Sequence, residues 1–86
     1  MNDENRRQRL LFRSRHRGMR ELDRLMGSFA EVHVPAFTPE QLAQFEAILE
    51  LNDPDMFNWV TGAEKVPPEH DTEVMRMLIR HRFVAD

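Results

Sequence analysis

Apolar positions recur at three- and four-residue spacing along most of the chain, and proline and glycine cut that pattern into five helical stretches. No run of five or six residues alternates as a strand does; Val32-His33-Val34 comes nearest, and Pro35 ends it. The first stretch runs from about Glu4 to Ser14, with Leu10, Leu11 and Phe12 as its apolar content. The second runs from about Arg17 to His33, with Leu22, Leu25, Met26 and Phe29 in helical register. The third carries the clearest start signal. Thr38-Pro39-Glu40-Gln41 is a capping box with proline at the first helical position, and Phe37 and Leu42 fit a hydrophobic staple across it. Leu42, Phe45, Ile48 and Leu49 continue it as one stripe.

The fourth stretch opens at Asn52-Asp53-Pro54-Asp55, with Asp53 expected as N-cap and Pro54 as the first helical residue. Met56, Phe57 and Val60 supply its inner face, and Gly62 its stop. The fifth starts near Asp71 or Thr72 and carries Val74, Met75, Leu78 and Ile79, with Arg80, His81 and Arg82 in its last turns. Short helices on short loops predict an all-α, compact five-helix bundle. At 86 residues the chain is read as a single domain, 1–86, with residues 1–5 expected to be loose.

Composition narrows the function. Hydrophobic residues at 41% and charged residues at 31% describe a chain that folds. With no cysteine, disulfides, thiolate metal sites and cysteine nucleophiles are excluded. No apolar run approaches the roughly 20 residues of a transmembrane helix, so no membrane insertion is expected. The net charge of −3 hides a polarity: residues 1–24 hold eight arginines against four acids, and residues 25–75 hold ten acids against one base, Lys65. The basic start permits a targeting peptide, a nucleic-acid-binding arm, or the solvated face of a helix in the bundle. Asp3 and Glu4 weaken the first, and the third is preferred.

The chain offers no enzyme signature. His16, His33, His70 and His81 are scattered and read as surface or loop histidines, so no metal site is expected. Ser14 and Ser28 lack a nucleophile-elbow context. Gly18, Gly27 and Gly62 are too far apart for a phosphate-binding loop, so no catalytic residue and no stably bound cofactor are expected.

Two places stand out. On a wheel of 100° per residue, Gly18 falls in the middle of the Leu22, Leu25, Phe29 stripe, and Arg17, Glu21 and Arg24 form a charged ridge beside it. Glycine there serves close approach of a partner, helix–helix packing, or a helix start. Pairs among the three ridge residues contribute only about 0.2–0.5 kcal/mol each to a helix, a thin reason for the arrangement. In the fourth stretch Trp59 lies about 110° from the centre of the Met56, Phe57, Val60 stripe. Either that helix is buried on two sides, or Trp59 is an exposed aromatic anchor at an interface.

At these places the sequence resembles a known family. Arg17-Gly18-Met19-Arg20-Glu21-Leu22-Asp23 is similar to the R-G-x-x-E segment of the succinate dehydrogenase flavinylation factors, the SdhE family. Asn52-Asp53-Pro54-Asp55-Met56-Phe57-Asn58-Trp59-Val60 is similar to that family's D-P-D-L-F-x-W hallmark, with Met56 where leucine is commoner. The resemblance covers about residues 6–83. It implies a five-helix, non-enzymatic assembly factor that binds the flavoprotein subunit of succinate dehydrogenase, and in bacteria the related fumarate reductase. It also implies that the factor promotes covalent attachment of FAD to that subunit. Partner-binding residues are then Arg17, Gly18 and Glu21, with Arg20, Asp23 and Trp59 beside them. A monomer is expected, acting on the partner's FAD. A start at Met1 leaves no room for a cleavable transit peptide, so the expected location is the bacterial cytoplasm. Two rivals stand beside this reading: a nucleic-acid-binding module built on the arginine-rich start, and an antitoxin-type module.

Overall fold

Five helices run in the order α1 (Asp3–Ser14), α2 (Arg20–His33), α3 (Pro39–Leu49), α4 (Asp53–Thr61) and α5 (Glu73–Val84), with 3-10 turns at Val34–Ala36 and Pro68–His70. The structure is a computed structural model that describes residues 3–15 and 18–84, with side chains described for 4–15 and 18–81; no strand occurs among them. α1 packs on α2 and α3, α5 packs on α2 and α3, and α4 lies against α2 and α5.

The α3 start is the capping box its sequence states. Gln41 N–H donates to Thr38 Oγ1 at 3.2 Å, and Thr38 N–H donates to Gln41 Oε1 at 2.9 Å. At α4 the cap lies one residue earlier than expected. Asn52, not Asp53, is the N-cap, and its Oδ1 accepts from Asp55 N–H at 2.9 Å. Asparagine and aspartate cap about equally well, and Asn52, extended at φ −77° and ψ 154°, has the non-helical backbone a cap needs, whereas Asp53 is already helical. Asp53 instead becomes an acid in the first turn, where it favours the helix dipole. Gly62 ends α4 in the left-handed conformation, φ 84°. α5 begins at Glu73, where Thr72 Oγ1 accepts from Met75 N–H at 3.1 Å.

The core is built from all five helices: Leu10; Leu22, Met26, Phe29 and Ala30; Leu42, Phe45, Ile48 and Leu49; Met56, Trp59 and Val60; Val74, Met75 and Leu78. Phe29 stands at its centre. Its ring lies 5.6 Å from that of Phe45, 6.1 Å from that of Phe37 and 4.6 Å from that of His33, within the range of favourable aromatic pairs.

The arginines of α1 are not simply solvated. Arg6 and Arg13 pair with Glu46 and Glu50 of α3, and Arg15 pairs with Glu31 of α2. Arg7 donates to the carbonyls of Val34, at 3.2 Å, and Phe37, at 2.8 Å, and so satisfies acceptors just past the end of α2. Acids of the middle segment thus meet bases of the first, and the charge polarity of the sequence becomes an internal clasp. The same pairings engage four of the eight arginines on which a nucleic-acid arm would have relied.

The histidines are less scattered than the sequence suggests. His33 of α2 and His81 of α5 meet with ring centres 5.8 Å apart, and Phe29 lies beneath both. Ser28 Oγ lies 3.1 Å from His81 Nε2. Burial, and secondarily His33, hold the His81 imidazole below its ordinary 6.5. The unfolded chain therefore binds the His81 proton more tightly than the folded one does. This stability is complete above pH 6.5 and is lost as the pH falls below that value toward the lowered folded pKa. Urea midpoints measured from pH 7.5 down to pH 5 should fall, and His81→Gln should flatten that fall.

Candidate partner-binding site

The segment joining α1 to α2 and the first turns of α2 hold the ridge singled out in the sequence. α2 begins at Arg20, so Gly18 lies before the helix and not in its apolar stripe. Its φ is 102°, a conformation that L side chains rarely adopt, and a Cβ there would meet nothing within 4 Å. Gly18 is thus an exposed turn glycine just before α2, and it does not serve helix–helix packing within the bundle. Arg17 lies outside the described residues.

Met19 is the N-cap of α2 without a side-chain cap, and its side chain packs against the core. Asp23 N–H donates to Met19 O at 2.8 Å, and Asp23 is half-buried. Arg20, Glu21 and Arg24 are exposed. The ridge pairing of Glu21 with Arg24 does not form. Among the described residues neither takes part in an ion pair or side-chain hydrogen bond. Glu21 and Asp23 still lie in the first turn of α2, where a negative charge suits the positive end of the helix.

Within the bundle itself, the glycine that permits a close approach is Gly27. It is buried, and a Cβ on it would come 3.1 Å from Arg15 Cγ. Arg15 crosses α2 there to reach Glu31, which brings the end of α1 onto the middle of α2. The clue was present: Gly27 stands next to Met26 at the edge of the apolar stripe, where a glycine inside a helix has a cost to offset.

Trp59 is not an exposed anchor; of its two expected roles, burial holds. It is 7% exposed and shares the inner face of α4 with Met56 and Val60, its ring 5.5 Å from that of His70. Phe57, expected inside, is 37% exposed. Positions 56, 59 and 60 follow the i, i+3, i+4 spacing of a single helix face, and position 57 does not. Trp59 is therefore remote from solvent, and the exposed part of the candidate site is the Gly18 turn with Arg20, Glu21 and Arg24.

Among the described residues no group of three or more histidine, aspartate or glutamate side chains is placed to hold a metal. No helix among them is long and apolar enough to cross a membrane. The three glycines stand in separate places, two at turns and one inside α2, and form no cradle for a dinucleotide pyrophosphate.

A family model described as flavinator of succinate dehydrogenase matches residues 8–82. The chain belongs to that family. It is similar to succinate dehydrogenase assembly factor 2-A, mitochondrial, of Drosophila yakuba, 45% identical over 80 residues, covering 91% of this chain and 49% of the relative. The corresponding factor of Dictyostelium discoideum is 41% identical over 75 residues, covering 87% of this chain and 53% of the relative. Factor 2-B of Drosophila melanogaster is 44% identical over 80 residues, covering 91% and 51%. The chain thus spans about half the length of the curated relatives it matches. These relatives are named as mitochondrial proteins, which overturns the expected bacterial cytoplasmic location. That expectation leaned on where the chain begins, and a chain matching half of its relatives' length cannot carry it.

Proposed function

We propose that this chain is a mitochondrial assembly factor that binds the flavoprotein subunit of succinate dehydrogenase and promotes its covalent FAD attachment. The observation that carries this reading is the family match over residues 8–82, which includes the Gly18 turn and the first turns of α2. The geometry supports it, because that segment leaves Arg20, Glu21 and Arg24 exposed and unpaired among the described residues. Fumarate reductase is a related candidate partner, and the factor acts as a monomer.

On this reading the factor is not an enzyme. FAD belongs to the partner, and the subunit's own histidine and active site form the flavin bond. This chain holds the subunit in the shape that lets it do so. Gly18 sets the turn that presents the docking residues, and Glu21 supplies a carboxylate to the partner.

Substitution of Gly18 separates the turn from the contact. Any L side chain at φ 102° costs about 1–2 kcal/mol, so Gly18→Ala should lower the stability read from urea melts by that amount. Gly18→Arg carries the same backbone cost and places a long side chain on the docking turn. It should stay folded, with its helical circular dichroism kept, and lose assistance altogether.

The test of binding itself is capture of the apo-flavoprotein subunit by the immobilised factor, with the holo-subunit and an unrelated flavoprotein beside it. Retention of the apo-subunit alone supports the reading. Equal retention of all three, or of none, removes it.

A further inference from the structure

Arg20 and Arg24 are four apart on α2, within about 40° of each other on the helix surface, and Gly27 and Glu31 continue the same face. Arg15, just past the end of α1, covers the second half of that face. Arg15 crosses at Gly27 and pairs with Glu31. The first half, Arg20 and Arg24, is exposed and adjoins the Gly18 turn.

The contrast with the other arginines gives this half its meaning. Arg6, Arg13 and Arg15 are matched by Glu46, Glu50 and Glu31, Arg7 by two carbonyls, and Arg76 by Asp71. Arg20 and Arg24 have no such partner among the described residues. They stand as like charges one turn apart, at the end of α2 where the helix dipole is already positive, an arrangement unfavourable in the free protein. The nearest exposed acid, Glu21, lies about 100° round the helix from Arg20 and makes no ion pair with Arg24.

We infer that the Arg20–Arg24 face is an electrostatic docking surface for a carboxylate-bearing patch on the flavoprotein subunit, extending the R-G-x-x-E contact by one helical turn. This rests on the proposed function above. A planar guanidinium accepts a carboxylate in a two-pronged geometry, and two of them at one-turn spacing select a surface that presents acids at matching separation. Such a surface steers encounter, so its signature is in the association rate and its salt dependence more than in the dissociation rate. Arg24 is the better probe, because it stands beyond the R-G-x-x-E segment.

The experiment measures association and dissociation of the apo-flavoprotein subunit with the full chain at about 20 and 200 mM salt, for wild type, Arg24→Gln, Arg24→Glu and Arg80→Glu. Arg80 is an exposed arginine on α5, also without a partner among the described residues, and serves as control. Arg24→Glu should slow association about tenfold at low salt and flatten its salt dependence, with Arg24→Gln between. Dissociation should change less than about twofold, and Arg80→Glu should leave association within about twofold of wild type. Circular dichroism confirms that each variant is folded. Wild-type binding that Arg24→Glu leaves unchanged, or that Arg80→Glu weakens equally, overturns this inference alone. Wild type failing to bind overturns the proposed function as well. A parallel arm uses random duplex DNA, and tight DNA binding lost on Arg24→Glu would assign the face to phosphates and overturn the carboxylate assignment.

Discussion

Phe29→Ala should come close to unfolding the protein. The ring is fully buried and touches aromatic neighbours from three directions: His33 on its own helix, Phe37 and Phe45 ahead of and within α3, and His81 on α5. Truncating a buried phenylalanine to alanine costs about 3–5 kcal/mol, the lost transfer energy plus the cavity left behind. A domain of this length has only about 4–13 kcal/mol in total at 0.05–0.15 kcal/mol per residue. For domains of this size each kcal/mol moves the melting temperature by about 4–8 °C, so a fall of at least about 12 °C is expected, or loss of a cooperative transition. Val32→Ala on the same helix is the control. Val32 is 63% exposed, and its truncation should stay within about 0.5 kcal/mol of wild type. Matched losses in the two variants would mean that Phe29 is not the centre of the core.

Glu21→Ala should do the opposite, sparing stability and removing binding. Glu21 is exposed and unpaired among the described residues, so its removal deletes no ion pair or side-chain hydrogen bond among them. What it gives up in the free protein is a first-turn charge on α2, worth about 0.3–1 kcal/mol. Against a partner the same carboxylate accepts charge-assisted hydrogen bonds, and truncating one member of a buried charged pair costs about 2–5 kcal/mol of binding. At about 1.4 kcal/mol per decade, affinity for the flavoprotein subunit should fall at least tenfold while the urea midpoint barely moves. A binding titration beside a urea melt separates the two. Unchanged affinity would take Glu21 out of the interface, and a large stability loss would make it a structural residue.

Local signals in the sequence are legible where they are complete within a few residues. The Thr38–Gln41 box and the Gly62 stop are of this kind, since each needs only its own neighbours to form. They are not legible where a residue's role is decided by what crosses it. The helical pattern around Gly18 places it inside a helix, yet its backbone turns at φ 102° and α2 starts two residues later. Gly27 has no visible purpose until Arg15 arrives beside it. Of the two roles open to Trp59 the structure gives it burial, whereas Phe57, expected inside, faces out; both are apolar enough for either face, and the i, i+3, i+4 rule decides for Trp59 only when applied from Met56. His33 and His81 are 48 positions apart in sequence and meet only through the packing of α2 on α5, which no local pattern announces.

Whether this chain assists a flavinylation it does not itself perform is read from covalent flavin on the apo-flavoprotein subunit. The subunit and FAD are incubated with and without the factor, denatured, and read for flavin fluorescence that stays with the polypeptide. A histidine peptide with FAD and the factor, but without the subunit, runs alongside. An assembly factor should give flavin on the subunit that rises with added factor, and none on the peptide. Subunit flavinylation that is the same with and without the factor, or covalent flavin on the peptide, would contradict that role.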